Sequence, residues 1–175
     1  MAESQFPPSS LRPLLQEVAT LLKERKETVS VAETAAGGLI SAVLLSVPGA
    51  STYYRGGLTV YTLPSRVAFA GWTPEAINTY TGPTTDIVAG LAEHTRSTLQ
   101  STYTVSESGT AGPGGGTTPN RVPGTVFVAV AAPDGKTYTR QVDTGLGEDR
   151  EGNMVAFAGE ALKLLRDVLK GVAKL

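Results

Sequence analysis

The sequence predicts a layered α/β domain with helices on both faces of a mixed sheet. Three observations carry that expectation. Segments of helical period alternate with short β-branched or continuously apolar runs along the chain, the pattern of helices packed on a sheet. Loops of small residues, Thr34 to Gly38 and Gly109 to Gly116, directly follow two of those runs. The last two runs are joined by Pro133-Asp134-Gly135, which suits an antiparallel hairpin because Asp-Gly tolerates positive φ.

Ser9 and Ser10 offer N-caps, and Pro13 falls in a first turn, where its missing N–H removes no bond. Leu11, Leu14, Leu15, Val18, Leu21 and Leu22 then recur at three- and four-residue steps, an amphipathic helix ending in the charged run Lys23 to Lys26. TVSVAE reads as a short strand, and LISAVLLSV as a helix stopped by Pro48-Gly49. TYYRGGLTVYT, residues 52–62, reads as one strand because of its β-branched and aromatic content. Pro64 and Thr73-Pro74-Glu75 open two short helices. Thr85 to Gln100 carries Ile87, Val88, Leu91 and Leu99 on one face, with Asp86 near the positive helix start. TYTVSES, TVFVAVAAP and KTYTRQV are the remaining strands. A last helix starts near Glu148-Asp149 and buries Val155, Ala158, Ala161, Leu162, Leu165 and Leu169.

A chain of 175 residues fits one domain, 1–175, and 41% hydrophobic residues suffice for a core. Fifteen Lys+Arg against sixteen Asp+Glu leave a net charge of -1, which argues against nucleic-acid binding through clustered cations. The absence of cysteine excludes thiolate chemistry and disulfides. A single histidine, His94, excludes multi-histidine metal sites within one chain, so no metal is expected. It reads as a solvated surface residue. No apolar run has membrane-span length, and MAESQFPPSS has no signal-peptide pattern, so the expected location is cytoplasmic.

Ligands of α/β sheets bind beyond the carboxyl ends of strands, which directs attention to the two loops. A hydroxyl at the junction Ala32-Glu33-Thr34-Ala35-Ala36-Gly37-Gly38 can attack an electrophile while neighbouring amides hold an oxyanion. Thr34 can equally be an N-cap of the following helix. Gly112 to Gly116 can wrap amides around a phosphate or carboxylate, or be a surface loop, and it has neither the Walker nor the dinucleotide pattern. Arg121 and Arg150 are candidate cations, although pairing of Arg150 with Glu33 or Asp149 is the plainer alternative. Tyr53, Tyr54 and Tyr61 can stack on a ring or pack across strands.

Four segments together resemble the CinA C-terminal domain family of competence/damage-inducible proteins. VAETAAGGLISAVLLSVPGAS, YYRGGLTVYTLPSR, SGTAGPGGGTTPNRVPGTVFVAV and GEDRE are similar to its signature blocks in order and spacing, from about residue 10 to 170. The resemblance implies a three-layer α/β/α fold and a homodimer. It further implies hydrolysis of the carboxamide of nicotinamide mononucleotide to nicotinic acid mononucleotide and ammonia, with no cofactor. Larger members carry a pyrophosphatase domain ahead of the matching region. By the same resemblance Thr34 stands at the family's serine nucleophile, Arg66 at its assisting lysine, and Ser108 at a threonine. Thr34, Tyr61 and Arg66 are then the catalytic set. Ala35, Ala36, Gly37 and Gly38 would hold the oxyanion, and Ser108, Gly112, Gly114, Gly115, Gly116 and Arg150 would bind the substrate. An arginine keeps its proton near neutrality where a lysine can be tuned to lose it, so the general base is unassigned, with Glu33 the nearest candidate in sequence. Three readings stay open: an amidohydrolase of the mononucleotide, an inert module that binds it, and an amidohydrolase of another amide.

Overall fold

The computed structural model describes residues 5–116 and 118–175. Met1 to Ser4, part of the stretch read for a signal peptide, and Thr117, inside the glycine-loop motif, lie outside the described residues. Strands β1 (Val29–Glu33), β2 (Tyr54–Thr59), β3 (Tyr103–Gly109), β4 (Thr125–Ala131) and β5 (Thr137–Asp143) form one sheet in the order β2-β1-β3-β4-β5. β1 runs parallel to β2 and β3, while β3, β4 and β5 pair antiparallel. The sheet is therefore mixed, as the hairpin signal required.

Helices cover both faces. α1 (Arg12–Arg25), α2 (Leu39–Leu45) and α6 (Arg150–Leu169) share one core with Val31, Val105, Val126, Val128 and Val130. On the opposite face α5 (Thr85–Leu99) sets Val88 and Ala92 against Phe127, Ala129 and Ala131. α3 (Leu63–Phe69) and α4 (Pro74–Asn78) lie in the connection from β2 to α5, where Ala70 and Trp72 pack with Leu91. The alternation of β4 residues between the two cores is the period-two rule acting on a strand covered on both sides, which is why Val126 to Ala131 are all apolar.

β2 is shorter than the 52–62 predicted for it. It is an edge strand paired only with β1, so its ladder ends near Glu33, where Thr59 faces that residue and the Val60 amide reaches the Glu33 carbonyl. Ala50–Thr52 forms a 3-10 turn instead, and Tyr61 is left free of the sheet. His94 is half-buried, contrary to the solvated surface position expected of it. It lies seven residues after Ile87, two helical turns on, and its ring packs where a side chain on Gly71 would sit.

The topology opens a crevice. The chain leaving β1 turns through α2 toward β2, whereas the chain leaving the neighbouring β3 goes the other way, to β4. Such a switch point between parallel strands is where α/β sheets place ligands.

Candidate functional site

The two loops flagged in the sequence meet at this switch point. A cavity of about 330 Å³ opens there, lined by Ala35, Tyr61, Tyr80, Gly109 to Gly115, Arg121 and Arg150 among others. That volume is at the lower end for a small-molecule site. Of the predicted residues, Ala35, Tyr61, Gly112, Gly114, Gly115 and Arg150 are in its wall. Thr34 and Ser108 lie directly behind the wall, each the chain neighbour of a lining residue and only 2% and 1% exposed. Ala36, Gly37, Gly38, Gly116 and Arg66 do not line it.

Thr34 is not the cap of the following helix. Its hydroxyl donates to Ser108 Oγ across the β1–β3 gap at 3.1 Å. α2 starts from Gly38, whose φ of 95° favours glycine. The helix's orphan amides go to Glu33: Ile40 N reaches one carboxylate oxygen at 3.0 Å, and Ser41 N and Oγ reach the other at 3.1 and 2.7 Å. Glu33, the nearest candidate base in sequence, is thus fully engaged as a helix cap. Its side chain leaves the strand on the side away from Thr34, as alternation requires.

Sequence reasoning missed Glu107. This carboxyl, fully buried on β3, accepts the amides of Thr34 and Ala36 on Oε2 at 3.0 and 2.9 Å. Its other oxygen, Oε1, is buried without a partner. Burial pushes Glu107 up to about 7, against the pull of the Ala36 and Thr34 amides; the charge of Glu33 raises it further and that of Arg66 lowers it. These bonds also settle which amides are available for an oxyanion. Ala36 N is taken by Glu107 and Gly37 N by the Thr34 carbonyl, so of Ala35 to Gly38 only Ala35 and Gly38 keep an amide with no partner among the described residues.

Arg66 is 4% exposed and stacked between aromatic rings, its guanidinium carbon 5.0 Å from the Trp72 centroid and 5.1 Å from that of Tyr80. Nε donates to the Val60 carbonyl at 3.3 Å, and Nη1 is buried without a partner. Arg150, at the first position of α6, pairs with neither Glu33 nor Asp149. Its guanidinium donates to the Gly112 carbonyl at 2.6 Å and to the Tyr61 hydroxyl at 3.3 Å, tying β2's exit to the glycine loop. Gly115 must be glycine: its φ is 156°, and a Cβ there would run into the Arg121 carbonyl. Arg121 braces the loop through its backbone and donates from Nε to the Thr81 carbonyl at 2.8 Å. Tyr53 points away from the cavity, its hydroxyl on the Leu44 carbonyl.

Asn153 is a second residue the sequence did not reveal. Fully buried on α6, it donates to the carbonyls of Ala111 and Gly147 at 3.0 and 2.8 Å and accepts the Thr144 hydroxyl at 2.5 Å. It pins the cavity wall to the helix. Asn153→Leu fills the same space but strands all three partners, so urea denaturation is expected to show a loss of about 3 kcal/mol. Among the described residues no cluster of three or more His, Asp or Glu side chains is placed to hold a metal ion, and no helix is long and apolar enough to cross a membrane.

The model of the CinA C-terminal domain family matches residues 11–169. A CinA-like protein of Desulfosudis oleivorans is 37% identical over 166 residues, covering 95% of this chain and 39% of the relative. One from Rippkaea orientalis is 38% identical over 154 residues, 87% of this chain and 36% of the relative. The chain thus spans less than two fifths of the length of these relatives. The crystal structure of a competence/damage inducible protein from Agrobacterium tumefaciens superposes with a TM-score of 0.86 at 26% identity, over 96% of this chain and 99% of that one.

Proposed function

The chain belongs to the CinA C-terminal domain family, and from that premise we propose that its site hydrolyses the carboxamide of nicotinamide mononucleotide. The observation that carries the proposal is the buried hydroxyl pair of Thr34 and Ser108 behind a cavity walled by two arginines and two tyrosines. Thr34 is the nucleophile, oriented by Ser108. The Ala35 amide, free and in the cavity wall, receives the developing oxyanion. Tyr80 offers a face to the pyridine ring. Arg121 and Arg150 with the Gly112 to Gly116 loop take the phosphate. Arg66 supplies positive charge near the reacting centre and does not remove a proton. The ligand is one mononucleotide, with no organic cofactor in the chemistry, and the protein acts as a homodimer in the cytoplasm.

The burial of Thr34, 2% exposed, favours a second reading, a module that binds the mononucleotide without turnover. Ammonia release from nicotinamide mononucleotide, coupled to calorimetry of its binding, separates the two. The expected result is binding together with stoichiometric ammonia and nicotinic acid mononucleotide. Binding without ammonia selects the inert module, and no binding rejects both.

A further inference from the structure

We propose that Glu107 is a positioning residue of this site: from β3 its carboxyl holds the backbone of the turn after β1, and so sets the Thr34 hydroxyl and the Ala35 amide for the reaction. The inference rests on the amidohydrolase reading above. β1 and β3 pair in parallel from Val29 and Tyr103 to Ala32 and Ser106, where their ladder ends. The chain then turns off the sheet while still inside the protein, with Thr34, Ala35 and Ala36 all buried. A buried amide needs an acceptor, and here the ladder no longer supplies one. The Glu107 side chain takes over: Oε2 accepts Thr34 N at 3.0 Å and Ala36 N at 2.9 Å.

Two consecutive residues of β3 thus grip one turn from opposite faces of the sheet. Ser106 bonds the Val88 carbonyl on the α5 side, so by alternation Ser108 lies on that side too, where it accepts the Thr34 hydroxyl at 3.1 Å. Val105 belongs to the core under α1, α2 and α6, so Glu107 emerges on that side and takes the backbone. The clasped amides flank Ala35, which leaves that residue little freedom. Of the turn's amides with no partner among the described residues, Ala35 N is the one that belongs to the cavity wall. Glu33 cannot serve the turn, because both its oxygens are engaged by α2.

An apolar side chain could occupy this place without the desolvation that a carboxyl suffers. Glu107 is nevertheless fully buried, with Oε1 left unpartnered, and the hydrogen bonds that offset this are the two to the turn. A donor stabilises an oxyanion only when it is fixed before the charge develops. Glu107 acts through Thr34 and Ala35, so its effect falls on kcat and leaves KM nearly alone.

Substitutions at Glu107, assayed with nicotinamide mononucleotide, test this. Glu107→Leu removes the acceptor at similar size, and kcat is expected to fall by about 100-fold with KM within about threefold of wild type. Glu107→Gln keeps a carbonyl oxygen at the same reach and is expected to restore kcat to within about fivefold of wild type. Glu107→Asp keeps the charge but falls one methylene short of the amides, and its kcat is expected about tenfold below that of Glu107→Gln. A purely structural role moves stability and spares kcat, so full kcat in folded Glu107→Leu overturns the inference. If Glu107→Leu does not fold, the other two variants decide. Wild-type turnover in Glu107→Asp with loss in Glu107→Gln overturns the inference, because charge and not reach then matters. A wild type that binds the mononucleotide and releases no ammonia overturns the amidohydrolase reading and this inference together.

Discussion

Thr34→Ala is expected to lower ammonia release from nicotinamide mononucleotide by at least about 10⁴-fold while leaving its affinity within about threefold of wild type. The asymmetry follows from position. Thr34 stands behind the cavity wall, not in it, so its hydroxyl adds little to ground-state binding. The same substitution removes one buried hydroxyl–hydroxyl bond and leaves Ser108 without its donor, a stability loss of about 1 kcal/mol, too small to unfold the domain. Thr34→Ser is the matching control. It keeps the oxygen and the Ser108 contact and frees the side chain of the β-branched restriction on χ1, so turnover is expected to equal or exceed wild type. A Thr34→Ala protein that releases ammonia as fast as wild type would remove Thr34 from the chemistry.

What the sequence revealed and what it concealed divide along a physical line. β4 was legible because its seven residues, Thr125 to Ala131, are buried on both faces of the sheet and all but Thr125 are apolar. The helices α1, α5 and α6 were legible from their period. The two loops were legible because small residues after a strand have few other uses. The relations between loops were not. Glu107 sits in a polar-looking run, Val105-Ser106-Glu107-Ser108, and reads as an ordinary exposed carboxylate until β3 is placed beside β1, some seventy residues earlier in the chain. The same adjacency gave the Thr34 hydroxyl Ser108 as its partner, while the local turn left the cap of α2 to Glu33. Asn153 is hidden for a related reason: an asparagine early in a helix signals nothing until the Ala111 carbonyl arrives over it. Arg150 shows the converse. Its poor fit at a helix start, where the macrodipole disfavours a cation, was the signal, and its partners prove to be a carbonyl and a phenol of the cavity wall.

The buried Glu107 carboxyl also makes the fold pH-sensitive in a direction opposite to most acidic groups. Its proton affinity is raised from an ordinary 4.5 to about 7, so between those values the folded state holds a proton that the unfolded chain has released. Stability must then fall as pH rises across this window, by about 1.4 kcal/mol per unit and about 3 kcal/mol in all, with no further contribution above or below it. Asp167 does not mask the effect. Despite desolvation, hydrogen bonds from Arg140 and Arg166 hold it below its ordinary 3.8, so its contribution is lost only at lower pH. Comparison with Glu107→Gln cancels every other titrating group, because the glutamine is neutral throughout while the rest of the protein is shared. Urea denaturation followed by Trp72 fluorescence at pH 5 and pH 8 is therefore expected to show the variant gaining on wild type by about 2 kcal/mol with rising pH. A difference that stays constant would place the Glu107 carboxyl at its ordinary proton affinity, with its charge compensated by Arg66 more completely than its unpartnered oxygen indicates.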